Sequence, residues 1–467
     1  MKNKFAAFIM LFATVAFMAS CLGSNEEYNY SDETALTSFS VTAAKQYQFV
    51  KTSDGLRDSI VTNDLTPSDY RFYINQITGQ IYNPDSLPCG VDAKKLLVTA
   101  SGGAAIFIKS MTSDSVSYLS TSDSLDFSAD RQLQVVSYSG TALRKYTVHI
   151  NVHKEQPDSF EWHATADCEA IKALTAIHTV AIGKRLVLFG TDGQCTRIFT
   201  STGTAWTETT DNAGRTLTAD AYNSVVVKDG SAYIADAGTI MRSADAQTWT
   251  TVATSTGIRR LVAAGTCRMY GYAQDGRLMQ SDDNALTWAP ATIDDAQTLL
   301  PQGETAYTVT PLDGYAKTER IVLVGNGGAA QGMSIWGKID EWATGSENQP
   351  WTYYNVTSDN RHTLPALASV SAVAYDGAIY ALGRSTEGAA FYKSADNGIT
   401  WRQDTTTLLM PEGFDLAADG QTTAGQAFAV TVDADKSLWL VNATTGKTWR
   451  GRINRLGWKK EQTAFEE

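Results

Sequence analysis

Residues 394–402 read Ser-Ala-Asp-Asn-Gly-Ile-Thr-Trp-Arg. An aspartate at position 396 accepts hydrogen bonds from the backbone N–H groups just ahead of it, and a glycine at 398 enters positive φ without a Cβ clash. Ala390-Phe391-Tyr392-Lys393 before the stretch, and Trp401 onward after it, have strand character. The stretch is therefore a hairpin turn whose tryptophan folds apolar area back onto its strands.

The turn recurs with decay. Ser281-Asp282-Asp283-Asn284-Ala285-Leu286-Thr287-Trp288 keeps every key position except the glycine. Ser243-Ala244-Asp245-Ala246-Gln247-Thr248-Trp249 is one residue shorter. Gly446-Lys447-Thr448-Trp449 keeps the last half, Gly203-Thr204-Ala205-Trp206 keeps glycine and tryptophan, and around Trp351 only the tryptophan survives. Tryptophans 206, 249, 288, 351, 401 and 449 are separated by 43, 39, 63, 50 and 48 residues. Self-similarity at such a period signals a repeat architecture. Within one unit, residues 225–227, 232–235 and 239–242 read as strands ahead of the Asp turn and the Trp strand, with Asp229-Gly230 as a tight turn. Asp376-Gly377 repeats the plan, and Asp275-Gly276 places the pair at a later turn. Four short strands per unit, split by glycine-rich turns, is the cadence of a β-propeller blade. Six blades are expected over residues 159–467, and seven if residues 160–164 belong to a further blade.

Ser-x-Asp-x-Gly-x-Thr-Trp resembles the Asp-box, or BNR repeat, of sialidase-like propellers. The resemblance covers about residues 158–467. It implies a structural role for Ser243, Asp245, Trp249, Ser281, Asp283, Trp288, Ser394, Asp396, Gly398 and Trp401, because in that family the box sits at the blade periphery, away from the central site.

The first residues carry a different signal. Lys2 and Lys4 precede an apolar run over residues 5–18, which is too short to span a bilayer comfortably. Small residues Ala19 and Ser20 then precede Cys21. This reads as a secretory signal and is excluded from the fold. Met18-Ala19-Ser20-Cys21 resembles a bacterial lipobox, with methionine in place of the usual leucine. The resemblance implies cleavage after residue 20, lipidation of Cys21, and a membrane link through that anchor alone. Ser24-Asn25-Glu26-Glu27 resembles the surface-export signal of Bacteroidota lipoproteins, so an outer-membrane, cell-surface location is expected. Residues 22–32 are expected to form a flexible tether.

Removing residues 1–21 from 467 leaves 446, too many for one ordinary core and enough for two domains or a large repeat array. The formal net charge of −12, with no basic patch, argues against nucleic acid and anionic membrane surfaces as partners. Cys89, Cys168, Cys195 and Cys267 form no C-x-x-C pair, so no zinc site is expected. They read as small buried hydrophobes, and if an exported chain formed a disulfide, Cys168–Cys195 is the first pair to test. No cofactor is expected.

Residues 33–153 contain no tryptophan. Tyr146, Val148, Ile150 and Val152 alternate with Thr147, His149, Asn151 and His153, the period of a strand with one buried face. Further strands are expected at residues 36–41, 72–77, 96–100, 105–108 and 133–138. This count fits a β-sandwich, and the run from Ser86 to Val152 resembles the Ig-like modules near the N-terminus of Bacteroidota surface lipoproteins. The expected fold class is thus all-β: an Ig-like sandwich, a linker at 154–158, and the propeller. His149 and His153 lie four residues apart on a strand, about 13 Å, too far to share one metal. Asp-Ser-aliphatic triplets at Ser59, Ser86, Ser115 and Ser124 resemble the Bacteroidota O-glycosylation sequon, although Asp-Ser is also ordinary turn chemistry.

For catalysis, the sialidase-like resemblance implies an arginine cluster and a Tyr–Glu pair. Thr196-Arg197-Ile198-Phe199 is the nearest string to that family's arginine motif, and it lacks the flanking aromatic and proline. Arg242, Arg259, Arg260, Arg268, Arg361 and Arg384 supply arginines that the sequence does not group, and no catalytic residue is assigned. The glycine-rich run at 325–332 lacks the Lys-Ser/Thr ending of a phosphate loop. Trp336, Trp342, Tyr353 and Tyr354 crowd the long fourth repeat and are the expected ligand or partner surface, with Trp351 in the core. The leading expectation is a non-catalytic envelope lipoprotein that binds a glycan or an envelope protein. A sialidase-like hydrolase and a scaffold are the alternatives.

Overall fold

The computed structural model describes residues 30–51, 58–65, 70–209, 215–312, 314–315, 318–327, 332–341, 349–354, 360–385, 387–414 and 427–458. Residues up to Gln156 form one compact unit and Pro157–Trp458 form a second. Helical structure among the described residues is limited to short 3-10 turns, such as Glu169–Ala173 and Asn454–Gly457.

The first unit is built from two sheets over one core. Leu36–Lys51 lies between Asp58–Leu65 and Leu97–Gly102 in the smaller sheet. The larger follows the order Tyr73–Asn75, Gln80–Tyr82, Leu143–His149, Arg131–Val136, Ala105–Lys109, Val116–Tyr118. Its pairings are antiparallel except that of Gln80–Tyr82 with Leu143–His149. Alternate residues of each strand point inward, as the period-two pattern requires. Phe39, Val41 and Val98 from one sheet meet Leu133, Val135, Tyr146 and Val148 from the other. The Tyr146 hydroxyl is buried yet satisfied: it accepts from the Leu36 N–H at 2.9 Å and donates to Gln76 Oε1 at 2.7 Å. A buried phenol without partners would be costly, so this bond fixes where the two sheets meet. The residue 72–77 strand expected from the sequence is shorter, ending at Asn75, because the Asn75 carboxamide caps the N–H groups of Ile77 and Thr78 in a turn.

The second unit contains six sheets of at least four strands among the described residues. Each begins with a strand that contacts the first strand of the next. These strands are Ala176–Ile182, Val225–Lys228, Ile258–Ala264, Thr305–Pro311, Val370–Tyr375 and Phe428–Val432, and the last contacts the first. The ring is therefore closed. Each neighbouring pair of sheets also encloses its own apolar core. Val180, Phe189, Ile234 and Trp249 fill the first interface, and Tyr270, Leu323, Trp336 and Trp351 fill the third. Buried on both faces, the inner strands read as continuous apolar runs such as Val225-Val226-Val227.

The strand around residues 160–164 does not start a seventh sheet. Trp162–Ala164 pairs antiparallel with Lys447–Gly451 and is the outer strand of the last sheet, joining the beginning of the unit to its end. The Trp162 indole donates to Leu409 O at 2.7 Å, and Phe160 packs edge-on against it at 4.8 Å. The hairpins use the turns their sequences dictate. Asp229 and Gly230 have φ of 49° and 69°, and Asp376 and Gly377 have 51° and 72°, the two positive values that a tight two-residue hairpin turn needs.

Candidate functional site

The site begins at the turn that opened the sequence. Ser394 Oγ donates to Asp396 Oδ1 at 2.8 Å and accepts from the Gly398 N–H at 2.8 Å. Asp396 accepts from the Thr400 N–H at 2.8 Å and the Thr400 hydroxyl at 2.7 Å. The Trp401 indole donates to Gly398 O at 2.8 Å, and Trp401 is 2% exposed. Ser281 and Asp283 repeat the arrangement, with bonds to Ala285 N, Thr287 N and Thr287 Oγ1 of 2.9, 2.9 and 2.6 Å. In the shorter copy, Asp245 accepts from the N–H groups of Gln247 and Thr248 at 2.8 Å each, and these bonds hold its carboxyl below the usual range. Trp249 is buried and Trp288 is half-buried.

This turn anchors a neighbouring segment. The Trp401 N–H donates to His362 O at 2.7 Å, the Asn360 carboxamide donates to Ile399 O at 2.8 Å, and its oxygen accepts from the His362 N–H at 2.9 Å. Residues 360–365 are thereby held against residues 399–403. Between them lies a cleft of about 700 Å³ lined by Arg361, His362, Glu387, Tyr392, Trp401 and Arg402, among others. The Arg402 guanidinium lies 3.2 Å from His362 Nε2. Guanidinium has only donors, so the imidazole accepts here and carries its proton on Nδ1. A second depression of about 370 Å³ adjoins, walled by Met333, Ile335, Tyr354, Leu364 and Ile399, and it shares Thr363, Pro365 and Trp401 with the cleft.

The expected aromatic surface requires correction. Trp336 is fully buried, its indole donates to Ser334 Oγ at 3.1 Å, and it packs against Tyr353 at 5.2 Å. It fills the interface between the third and fourth sheets and presents no free face. Tyr353 is half-buried beneath it, while Tyr354 is half-buried and borders the apolar depression. Trp342 lies outside the described residues, as do Cys21, the signal and most of the tether. The Cys168–Cys195 disulfide is not formed: Cys89, Cys168, Cys195 and Cys267 are all free thiols. Ser115 and Ser124 are exposed and Ser86 is half-buried, while Ser59 lies in the strand Asp58–Leu65.

Arg268 and Arg260 are held by structural contacts. The Arg268 guanidinium bonds the fully buried Asp340 and also meets Asp282 Oδ1 at 3.1 Å. Burial pushes the Asp340 carboxyl up against the pull of Arg268, and pushes the neighbouring Lys338 ammonium down to about 8. Arg260 donates to Gly303 O at 2.8 Å and Thr305 Oγ1 at 3.2 Å, and stacks on Tyr272 at 5.4 Å. Tyr222 and Glu304 are close enough to interact electrostatically, and both are buried in part. Burial, reinforced by Glu304 and Asp220, pushes the Tyr222 phenol up to about 12, and burial raises Glu304. This Tyr–Glu–Arg grouping is not visible in the sequence, where its members are 38 and 44 residues apart (260 − 222 and 304 − 260). Arg361 is among the arginines that the sequence leaves ungrouped, and Arg402 closes the opening stretch without a signal of its own. The pairing of residue 362 with residue 401 is what brings them together.

Residues 156–461 match the family domain described as the DUF6242 beta propeller domain, and residues 39–150 match the DUF6242 N-terminal domain of unknown function. No curated protein matches the chain. Among solved structures, YCF48 bound to D1 peptide is 14% identical, with a TM-score of 0.35, covering 64% of this chain and 96% of its own. A point mutant of the Aleuria aurantia lectin in complex with α-methyl-L-fucoside is 14% identical, TM-score 0.32, with coverages of 61% and 93%. BamB from Moraxella catarrhalis is 10% identical, TM-score 0.31, with coverages of 63% and 99%.

Proposed function

The chain belongs to the DUF6242 family, and from that premise we propose that its propeller is the non-catalytic recognition module of an envelope lipoprotein, holding a glycan or a protein partner in the cleft beside Trp401. One observation carries the reading. Arg361, His362 and Arg402 converge on a roomy cleft in which Glu387 is the sole carboxylate among the described lining residues. That lining suits an acidic ligand, and its described residues do not include the pair of acidic groups that most glycoside hydrolysis uses. In this reading the six sheets are six blades, the Ser-x-Asp turns are Asp-boxes that stiffen them, and residues 33–153 are an Ig-like stalk. Lipidated Cys21 tethers the whole to the outer membrane, facing the cell surface. A scaffold role would use the same cleft.

The sialidase-like alternative rests on Tyr222, Arg260 and Glu304. Two facts count against it. Arg260 spends donors on Gly303 and Thr305, and Tyr222 holds its proton more tightly than a free phenol. A glycan array probed with soluble protein lacking residues 1–21, beside its Arg361→Ala/Arg402→Ala variant, tests the reading for sugars. Saturable, variant-sensitive binding without turnover is the expected result. Release of a sugar from the bound glycan by wild type, abolished in Tyr222→Phe, would replace it. Protease shaving of intact cells tests the location: loss of the protein before outer-membrane rupture is expected, and resistance places it in the periplasm.

A further inference from the structure

Resting on that reading, the ligand class of the cleft can be narrowed. Arg361 has no ion-pair partner among the described residues, and Arg402 has only the imidazole of His362. Elsewhere in the same unit Arg197, Arg268, Arg277, Arg450 and Arg455 each meet an aspartate or glutamate, while Arg185, Arg242, Arg259 and Arg260 donate to neutral oxygens. Arg361 and Arg402 line one cleft in which Glu387 is the single carboxylate among the described lining residues, and neither forms an ion pair with it. A desolvated carboxylate docked there gains charge-assisted, bidentate hydrogen bonds.

The adjoining depression has the opposite character. Its walls are mostly apolar, with Met333, Ile335 and Leu364 beside the rings of Tyr354 and Trp401, and Ile399 at its edge is 50% exposed. Sugar rings carry hydroxyls around their edges and favour broad, exposed aromatic faces, whereas here Trp401 is buried and Tyr354 is half-buried. An extended peptide advances about 3.3 Å per residue, so it can seat an acidic and an apolar side chain in neighbouring depressions within a few residues. We infer that the cleft takes an extended segment of a partner protein, with an aspartate or glutamate against Arg361 and Arg402 and an apolar side chain beside Ile399.

The test is selection from a phage-displayed random dodecapeptide library on the full chain from residue 22 onward, run in parallel on Arg361→Glu/Arg402→Glu and on Ile399→Asp. Circular dichroism confirms that each variant is folded, and polygalacturonate serves as the acidic glycan probe. Expected are peptides that carry an acid within about three residues of an apolar side chain, weakened about tenfold or more in both variants. Peptides insensitive to charge reversal overturn the inference. So does polygalacturonate binding that the charge reversal abolishes and Ile399→Asp spares, an outcome that leaves the recognition module standing with a glycan ligand. Binding of neither probe, nor of any glycan on the array, removes both.

Discussion

Asp396 sits where burial alone would raise its carboxyl, yet bonds from Thr400 and Ser394 outweigh burial and hold it below the usual range. Asp396→Ala strands those donors, and a loss of about 2–4 kcal/mol in urea unfolding is expected. The same turn gives a subtler contrast. Ala285 occupies the position of Gly398 at φ 72°, where a side chain is disfavoured by about 1–2 kcal/mol. Ala285→Gly relieves that strain against about 0.4–1 kcal/mol of extra unfolded-state entropy, so a gain of up to about 1 kcal/mol is expected. Gly398→Ala runs the other way, because at φ 98° its Cβ would also stand 3.1 Å from Val322 Cγ1. His178 supplies a pH signature. Burial pushes its imidazole down to about 4, so below the ordinary value of 6.5 the unfolded chain takes a proton that the folded chain refuses. Its contribution to stability therefore falls as pH drops from about 6.5 to about 4, by at most about 3 kcal/mol, and then levels. Urea midpoints at pH 7 and 4.5 should separate less in His178→Asn than in wild type.

The strands show which signals travel along the chain and which do not. Local chemistry makes the Asp-Gly turns, the inner apolar strands and the alternation at Tyr146–Val148 legible from sequence. Partners distant in sequence are not legible. Residues 160–164 leave a further blade open in the sequence, because only their pairing with Lys447–Gly451 decides where they belong. Trp162→Ser should weaken that closure by about 3 kcal/mol, seen as an earlier thermal transition. Trp336 misleads for a related reason. Its strand, Ser334–Glu341, is covered on both faces, so alternation disappears and an aromatic-rich run gives no hint of which ring is enclosed. The same enclosure makes Asp340 critical: Asp340→Ala removes the buried partner of Arg268 and leaves it only the exposed Asp282, at an expected cost of about 3 kcal/mol.

Across the whole molecule, charge is the feature that sequence sums describe least well. A formal charge of −12 argues against nucleic acid and anionic membrane surfaces as partners, yet it conceals Arg361 and Arg402, which chain topology brings to one cleft from 41 residues apart (402 − 361). Ser394-to-Trp401 reads as structural, and its hydrogen bonds hold the turn. The same tryptophan also borders both depressions, so structural turn and candidate site share a residue. The most direct measurement places a photo-crosslinking amino acid at Ile399 of the full-length protein in intact cells, with Asp275, exposed on the third sheet, as the control position. A discrete adduct from residue 399 that disappears in Arg361→Glu/Arg402→Glu is the expected result. Equal adducts from both positions, or none from residue 399 alongside a sugar-releasing activity, would contradict recognition through this cleft.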